Sequence, residues 1–139
     1  MLEEHIRLLD GCWDNLKRSS DESFGMARLG PGDISTYNTY DGYSFHLPMN
    51  LEGFGFCERG EAFDFIKDGN IELGGELPCN TSGGMLSESY MHGANHQVEM
   101  VHQLRHEAGK QKPQMRRPQV FAMVGIIEGQ KEEDNARST

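Results

Sequence analysis

Four histidines are the first residues here whose type and spacing could do chemistry. His92 and His96, and again His102 and His106, stand four residues apart, which brings two imidazoles to one helical face as a zinc site requires. No acidic residue stands between the members of either pair in the His-Glu-x-x-His manner. Only one pair at a time projects in a common direction, and solvated helix surfaces often carry histidines, so no metal is expected. A richer spot is Gly83-Gly84-Met85-Leu86-Ser87-Glu88-Ser89-Tyr90-Met91-His92-Gly93-Ala94-Asn95, where a glycine loop delivers His92 just before a helix start. The free N–H groups and positive potential of a helix start favour a neutral imidazole and stabilise a nearby anion, such as an enolate or a tetrahedral oxyanion. A simple helix-capping loop has the same form, and spacing alone leaves both readings open. The three cysteines, Cys12, Cys57 and Cys79, are an odd number without a Cys-x-x-Cys spacing, and are expected as reduced thiols rather than a disulfide framework or a zinc knuckle.

The elements that must position these groups follow from the apolar spacing. Ile6, Leu9, Cys12, Trp13 and Leu16 recur at three- and four-residue intervals and predict a helix within residues 1–28, with Cys12 on its apolar stripe and a turn at Phe24, Met26 and Ala27. Gly30-Pro31-Gly32-Asp33 stops it. Ile34 to Tyr40 reads as a short strand leading into the loop Tyr40-Asp41-Gly42. Tyr43 to Phe56 reads as helical, with Pro48 either in the first turn or at a kink. Ala62–Ile66 and Ile71–Leu73 flank Lys67-Asp68-Gly69-Asn70 as a hairpin would. Pro78 to Gly84 is a polar loop. From Ala94 to Ala108, Ala94, Val98, Val101, Leu104 and Ala108 line one helical face, with His92, His96, Glu99 and His106 around the other. Gly109 ends this helix, Lys110 to Pro118 is a basic loop, and Val120 to Ile127 is a run of buried-strand type. The order of elements predicts a layered α/β arrangement with a mixed sheet.

Composition narrows the function classes. Against 22 Asp and Glu the 139 residues carry 13 Lys and Arg, a net charge of −9 that disfavours binding to phosphate backbones or anionic lipid. Nucleic acid is therefore not an expected partner. Only 36% of residues are hydrophobic and 17 are glycine, a thin apolar supply that suggests a partner surface completes the core. No run reaches the length of a membrane span, and Met1-Leu2-Glu3-Glu4-His5 lacks the plan of a signal peptide; a cytoplasmic protein is expected. Lys110, Lys112, Arg116 and Arg117 form a local basic cluster, suited to a ligand's phosphate, to an acidic partner or simply to solvent.

Five motifs in order carry a family resemblance: Gly32-Asp33-Ile34; Tyr40-Asp41-Gly42-Tyr43-Ser44-Phe45; Leu51-Glu52-Gly53-Phe54-Gly55-Phe56-Cys57-Glu58-Arg59-Gly60-Glu61; Gly75-Glu76-Leu77-Pro78-Cys79-Asn80-Thr81-Ser82-Gly83-Gly84; and Leu86-Ser87-Glu88 through His92-Gly93. From about Phe24 to Gly109 the chain resembles the C-terminal half of the thiolase superfamily, in its lipid-transfer-protein-like branch with the thiolase-like aldolases of steroid side-chain degradation. The resemblance implies a thiolase C-terminal-like domain over residues 1–129, followed by a polar, disordered tail at 130–139. It also implies one half of a larger enzyme, because the other half of a thiolase supplies the nucleophilic cysteine and much of the acyl-CoA pocket. A separate N-terminal-half chain or self-association is thus expected, with a small OB-fold protein as a further candidate partner.

Two departures from thiolases bear on the reaction. Tyr40-Asp41-Gly42-Tyr43 stands where thiolases carry an Asn-Glu-Ala-Phe-like box, so Tyr40 replaces the polar residue that holds a catalytic water. Val120 to Ile126 lacks the acid–base cysteine of the thiolase C-terminus. Thiolysis and Claisen condensation are accordingly not expected. The resemblance to the aldolases implies retro-aldol cleavage of a β-hydroxyacyl-CoA, with Tyr40 and Tyr90 as base and acid, His92 orienting the thioester, and Asn80, Gly83 and Gly84 at the substrate. A phenol ionises near pH 10, so a basic tyrosine needs a neighbouring positive charge or hydrogen bond, for which His92 is the nearest candidate. Coenzyme A enters only as part of the substrate, and no cofactor is expected. An acyl-CoA acyltransferase half and a non-catalytic thiolase half that serves as an interaction module are the alternatives.

Overall fold

The computed structural model of the chain describes residues 2–88, 91, 93–111 and 121–124. A long first helix, α1 (Leu2–Ala27), is followed by a 3-10 turn at Pro31–Asp33, strand β1 (Thr36–Thr39), helices α2 (His46–Gly53), α3 (Ala62–Lys67) and α4 (Ala94–Leu104), a second 3-10 turn at Gly109–Gln111, and strand β2 (Phe121–Val124). β1 pairs with β2 in parallel, Thr36 opposite Phe121 and Thr39 opposite Val124, and on its other side Tyr37 forms a parallel bridge to Cys79. A parallel pair needs a crossover connection, and α2, α3 and α4 all lie within the one that joins β1 to β2. The sheet is small, and its pairings among the described residues are parallel.

β1 is buried along its whole length, as a strand with covered faces must be, yet it reads Thr-Tyr-Asn-Thr rather than Val and Ile. Tyr37 supplies the apolar contribution. Its ring lies 4.6 Å from that of Phe56 and 5.9 Å from that of Phe54, and Phe24 of α1 meets both phenylalanines edge-on. Ile34, Leu51, Ala62 and Leu77 complete this core. α1 and α2 approach closely at Gly53, where a Cβ would stand 2.6 Å from Leu16 Cβ. Asn50 of α2 donates to Thr39 Oγ1 at 2.7 Å, and Asn38 Oδ1 accepts the Thr81 N–H. The polar residues of β1 therefore anchor the surrounding loops.

Several expectations are corrected. Phe24, Met26 and Ala27 continue α1, which ends where Arg28 takes a positive φ and the Leu29 N–H returns to the Phe24 carbonyl. Cys12 is exposed; Trp13, Leu16, Ser20 and Phe24 form the covered line instead. The hairpin does not form. Ala62–Lys67 is helical, with Ala62, Phe65 and Ile66 at three- and four-residue spacing, and Gly69 (φ +75°) terminates that helix rather than turning a hairpin. Pro48 sits in the first turn of α2 without a kink. α4 stops at Leu104 because His106 adopts φ +60°, several residues ahead of Gly109.

The face of α4 is the largest correction. His96, Glu99, Met100 and Gln103 are its buried residues, while Val98, Val101 and Leu104 are 56%, 43% and 49% exposed. The cause is polar pairing with the loop after Cys79. Glu99 Oε1 accepts from Thr81 Oγ1 at 2.6 Å and from Gln103 Nε2 at 2.7 Å, so a carboxyl group enters the interior with donors already in place. The tail at 130–139 and Lys112, Arg116 and Arg117 of the basic cluster lie outside the described residues.

Candidate functional site

Where β1 ends, Tyr40 begins a loop that the following glycine allows to fold back on itself. A Cβ on Gly42 would stand 2.5 Å from the Tyr40 hydroxyl oxygen and 2.7 Å from Cζ, so only glycine admits the ring there. The Tyr40 ring also meets that of His46, the first residue of α2, at 5.1 Å between centroids. The half-buried phenol is thus clasped between backbone and imidazole at the carboxyl end of a strand, which is where open α/β sheets bind their ligands.

Asp41 ties this loop to the glycine pair. Its Oδ1 accepts the Met85 N–H at 2.8 Å, and a Cβ on Gly84 would lie 1.9 Å from its Oδ2. Gly83 and Gly84 both have positive φ, +100° and +72°, the region glycine enters without steric penalty. Asn80, itself at φ +45°, accepts the Thr39 N–H on Oδ1 at 2.8 Å, and its Nδ2 is buried with no partner among the described residues. Tyr40, Asn80, Gly83 and Gly84 are therefore assembled around the end of β1, as the sequence motifs suggested. Tyr90 and His92 lie outside the described residues.

Three groups at this site were not assigned a role from sequence. Asp41 was visible only as part of a motif. His46 gave the signal of a histidine at a helix start six residues after Tyr40. His96 was read on the outer face of α4; it is 1% exposed, its Nε2 stands 4.0 Å from Asp41 Oδ1, and neither ring nitrogen has a hydrogen-bond partner among the described residues. Burial lowers its pKa, against the opposing charges of Asp41, Glu88 and Glu99, and keeps the ring neutral at pH 7. An unfolded His96 takes up a proton near pH 6.5 whereas the folded one resists. Stability is consequently undiminished by this group above pH 6.5 and is lost as pH falls below it. Melting temperatures at pH 7.5 and 5.5 should fall less steeply for His96→Leu than for the parent chain; an unchanged slope would refute this account.

Cys57 and Cys79 are poor nucleophiles. Burial, reinforced by Glu52, Glu61 and Glu58, pushes the Cys57 thiol up to about 11, and burial also raises Cys79, whose thiol donates to the Leu77 carbonyl at 3.2 Å. Thiolates are scarce at both positions at neutral pH. His102 pairs with Glu107 at 3.6 Å on the surface, and among the described residues no three His, Cys, Asp or Glu side chains converge as a metal would require.

With this geometry in place, the chain belongs to the thiolase C-terminal domain-like family, whose pattern matches residues 5–131. Among its relatives, a steroid side-chain-cleaving aldolase of Thermomonospora curvata is 43% identical over 103 residues, covering 74% of this chain and 26% of the relative. A 17-hydroxy-3-oxo-4-pregnene-20-carboxyl-CoA lyase of Mycobacterium tuberculosis is 52% identical over 82 residues, 59% of this chain and 21% of the relative. A solved structure titled Ltp2-ChsH2(DUF35) aldolase superposes with a TM-score of 0.65 at 43% identity, over 67% of this chain and 24% of its own. The chain spans about a quarter of the length of the relatives it matches. No described helix is long and apolar enough to cross a membrane.

Proposed function

We propose that this chain is the C-terminal half of an acyl-CoA lyase that cleaves a β-hydroxyacyl-CoA by retro-aldol reaction, with a steroid side chain as the acyl group. The observation that carries the reading is the placement of Tyr40 at the end of β1, held by Gly42 and His46 and joined to Gly84 through Asp41, in a chain whose relatives are named as an aldolase and a CoA lyase. Tyr40 takes the proton of the β-hydroxyl. The O–H electrons form the ketone, the Cα–Cβ bond breaks, and its pair enters the thioester enolate. Tyr90 returns a proton to the α-carbon, and His92 holds the enolate oxygen. The products are a 17-oxo steroid and a shortened acyl-CoA, with the thioester lying along Asn80, Gly83 and Gly84. The balance closes without an oxidant, a metal or any cofactor beyond the CoA of the substrate.

The apolar face of α4 is the docking surface for the other half. Val98, Val101 and Leu104 are exposed on α4, as are Leu86 and Met91 in the segment before it, and a thiolase-like N-terminal-half chain is the occupant of this apolar surface; self-association of this chain and an OB-fold partner are the competing outcomes. The test mixes the purified chain with an N-terminal-half chain from the same source and follows complex formation by sedimentation and ketone release from a 17-hydroxysteroid 20-carboxyl-CoA. Val98→Asp with Val101→Asp should weaken the complex at least 100-fold, because a charge replaces two interface anchors, while leaving the melting temperature of the isolated chain nearly unchanged. Complex formation unaffected by the pair, or no ketone from any combination, would leave a non-catalytic interaction module.

A further inference from the structure

Beyond Tyr40 the loop carries a second cluster of rings that proton transfer does not use. Tyr43 and Phe45 lie parallel, 7° between planes and 5.8 Å between centroids, and they are 63% and 51% exposed. His46 stands edge-on to both, 5.2 Å from Tyr43 and 4.7 Å from Phe45, and it also meets the Tyr40 ring at 5.1 Å. The backbone fixes this arrangement, since the His46 N–H donates to the Tyr43 carbonyl at 3.0 Å and the Met49 N–H to the Phe45 carbonyl at 3.1 Å. The result is an exposed aromatic stack, a recognition shelf locked to the first turn of α2 and separated from the candidate base by one imidazole.

We propose that Tyr43 and Phe45 form the recognition shelf for the ring system of the ketone-forming fragment, and that they set the preference for a rigid fused-ring substrate over an open chain. The inference rests on the retro-aldol reading. In that reaction the carbon that becomes the ketone lies against the Tyr40 hydroxyl, and its two fragments depart in different directions. The thioester is placed along Gly83 and Gly84, which Asp41 joins to the Tyr40 loop; the remainder of the ketone is placed over the rings next to Tyr40, those of His46, Tyr43 and Phe45. The exposed parts of these two rings offer apolar contact to an alicyclic face. A fused-ring ligand has no rotors to immobilise there, whereas a flexible chain of equal area loses conformational freedom on each ordered bond. His46 links shelf and base, so a ring seated on the shelf also sets the distance from the β-hydroxyl to Tyr40.

The test is calorimetric titration of the full chain, assembled with its N-terminal-half chain, with androst-4-ene-3,17-dione, with 2-decanone as the open-chain ketone and with propionyl-CoA. The expected result is binding of the steroid in preference to 2-decanone, weakened about tenfold by Phe45→Ala and by Tyr43→Ala, with propionyl-CoA affinity unchanged in both. Phe63→Ala, at an exposed ring on α3 remote from the loop, is the control and should change nothing. No steroid binding, equal affinity in the shelf variants, or equal loss with Phe63→Ala would each overturn the shelf. Failure of the retro-aldol reading is seen separately, as absent propionyl-CoA binding or as ketone release that survives Tyr40→Phe, neither of which alters the steroid titration.

Discussion

Tyr40→Phe should lower kcat/KM for ketone release by the assembled enzyme by roughly 10³-fold, the middle of the range for a lost general base, while the variant folds as the parent does. Phenylalanine keeps the ring against His46 and over Gly42, so the substitution removes one oxygen and leaves the packing. Substrate affinity should be nearly retained, which places the loss in kcat rather than KM, the signature of an interaction made in the transition state. The pH profile provides a second criterion: the rise of kcat/KM with pH that belongs to deprotonation of the base should vanish in the variant. A loss confined to KM, or a profile that keeps its rise, would make Tyr40 a binding group and move the base elsewhere.

The second large effect is expected at a residue with no side chain. Gly84→Ala places a methyl group 1.9 Å from Asp41 Oδ2 and 2.9 Å from its Cγ, at φ +72°, so Asp41 must swing away and release the Met85 N–H. The left-handed backbone costs about 1–2 kcal/mol for a residue with a Cβ, and loss of a charge-assisted hydrogen bond about 1.5–3 kcal/mol. Together they predict destabilisation of about 3–4 kcal/mol, or a fall in melting temperature of roughly 10 °C for a domain of this size. The neighbouring Gly83→Ala meets only Ser87 Cβ at 3.0 Å and should cost about half as much. Coupling identifies the cause. In the Asp41→Ala background, Gly84→Ala should retain only its backbone penalty of about 1–2 kcal/mol; strict additivity of the two substitutions would show that the carboxylate and the glycine do not meet.

The local pattern carried much of this architecture. Apolar recurrence from Ile6 to Leu16 defined α1, the Thr- and Tyr-bearing stretch after Pro31-Gly32-Asp33 defined β1, and the turn residues around Tyr40 and Gly83 placed loops where loops are found. The motif order brought Tyr40, Asn80, Gly83 and Gly84 into one reading, and the geometry unites them through Asp41 and the Thr39 N–H. Ala62–Lys67 was misread because six residues cannot distinguish an apolar strand from one turn and a half of helix, and because Gly69 suits both a hairpin turn and a helix terminus.

α4 marks the limit of periodicity. Its spacing established two faces, one of Val98, Val101 and Leu104 and one of His96, Glu99 and Gln103, and hydrophobicity alone would bury the first. The neighbouring elements decide otherwise: β1 is Thr-Tyr-Asn-Thr, the loop behind it offers the Thr81 hydroxyl, and a hydrogen-bonded Glu99 fits that surface. His46 escaped notice for the same kind of reason, since its meaning lies in the Tyr40 ring beside it. From the amino-acid order alone came α1, α2 and α4, the strand β1, the family motifs and the tyrosine at the strand end, because each depends on residues close in the chain. The buried face of α4, the clasp around Tyr40 and the Asp41–Gly84 contact came from packing, because each depends on the chemistry of a surface that is distant in sequence.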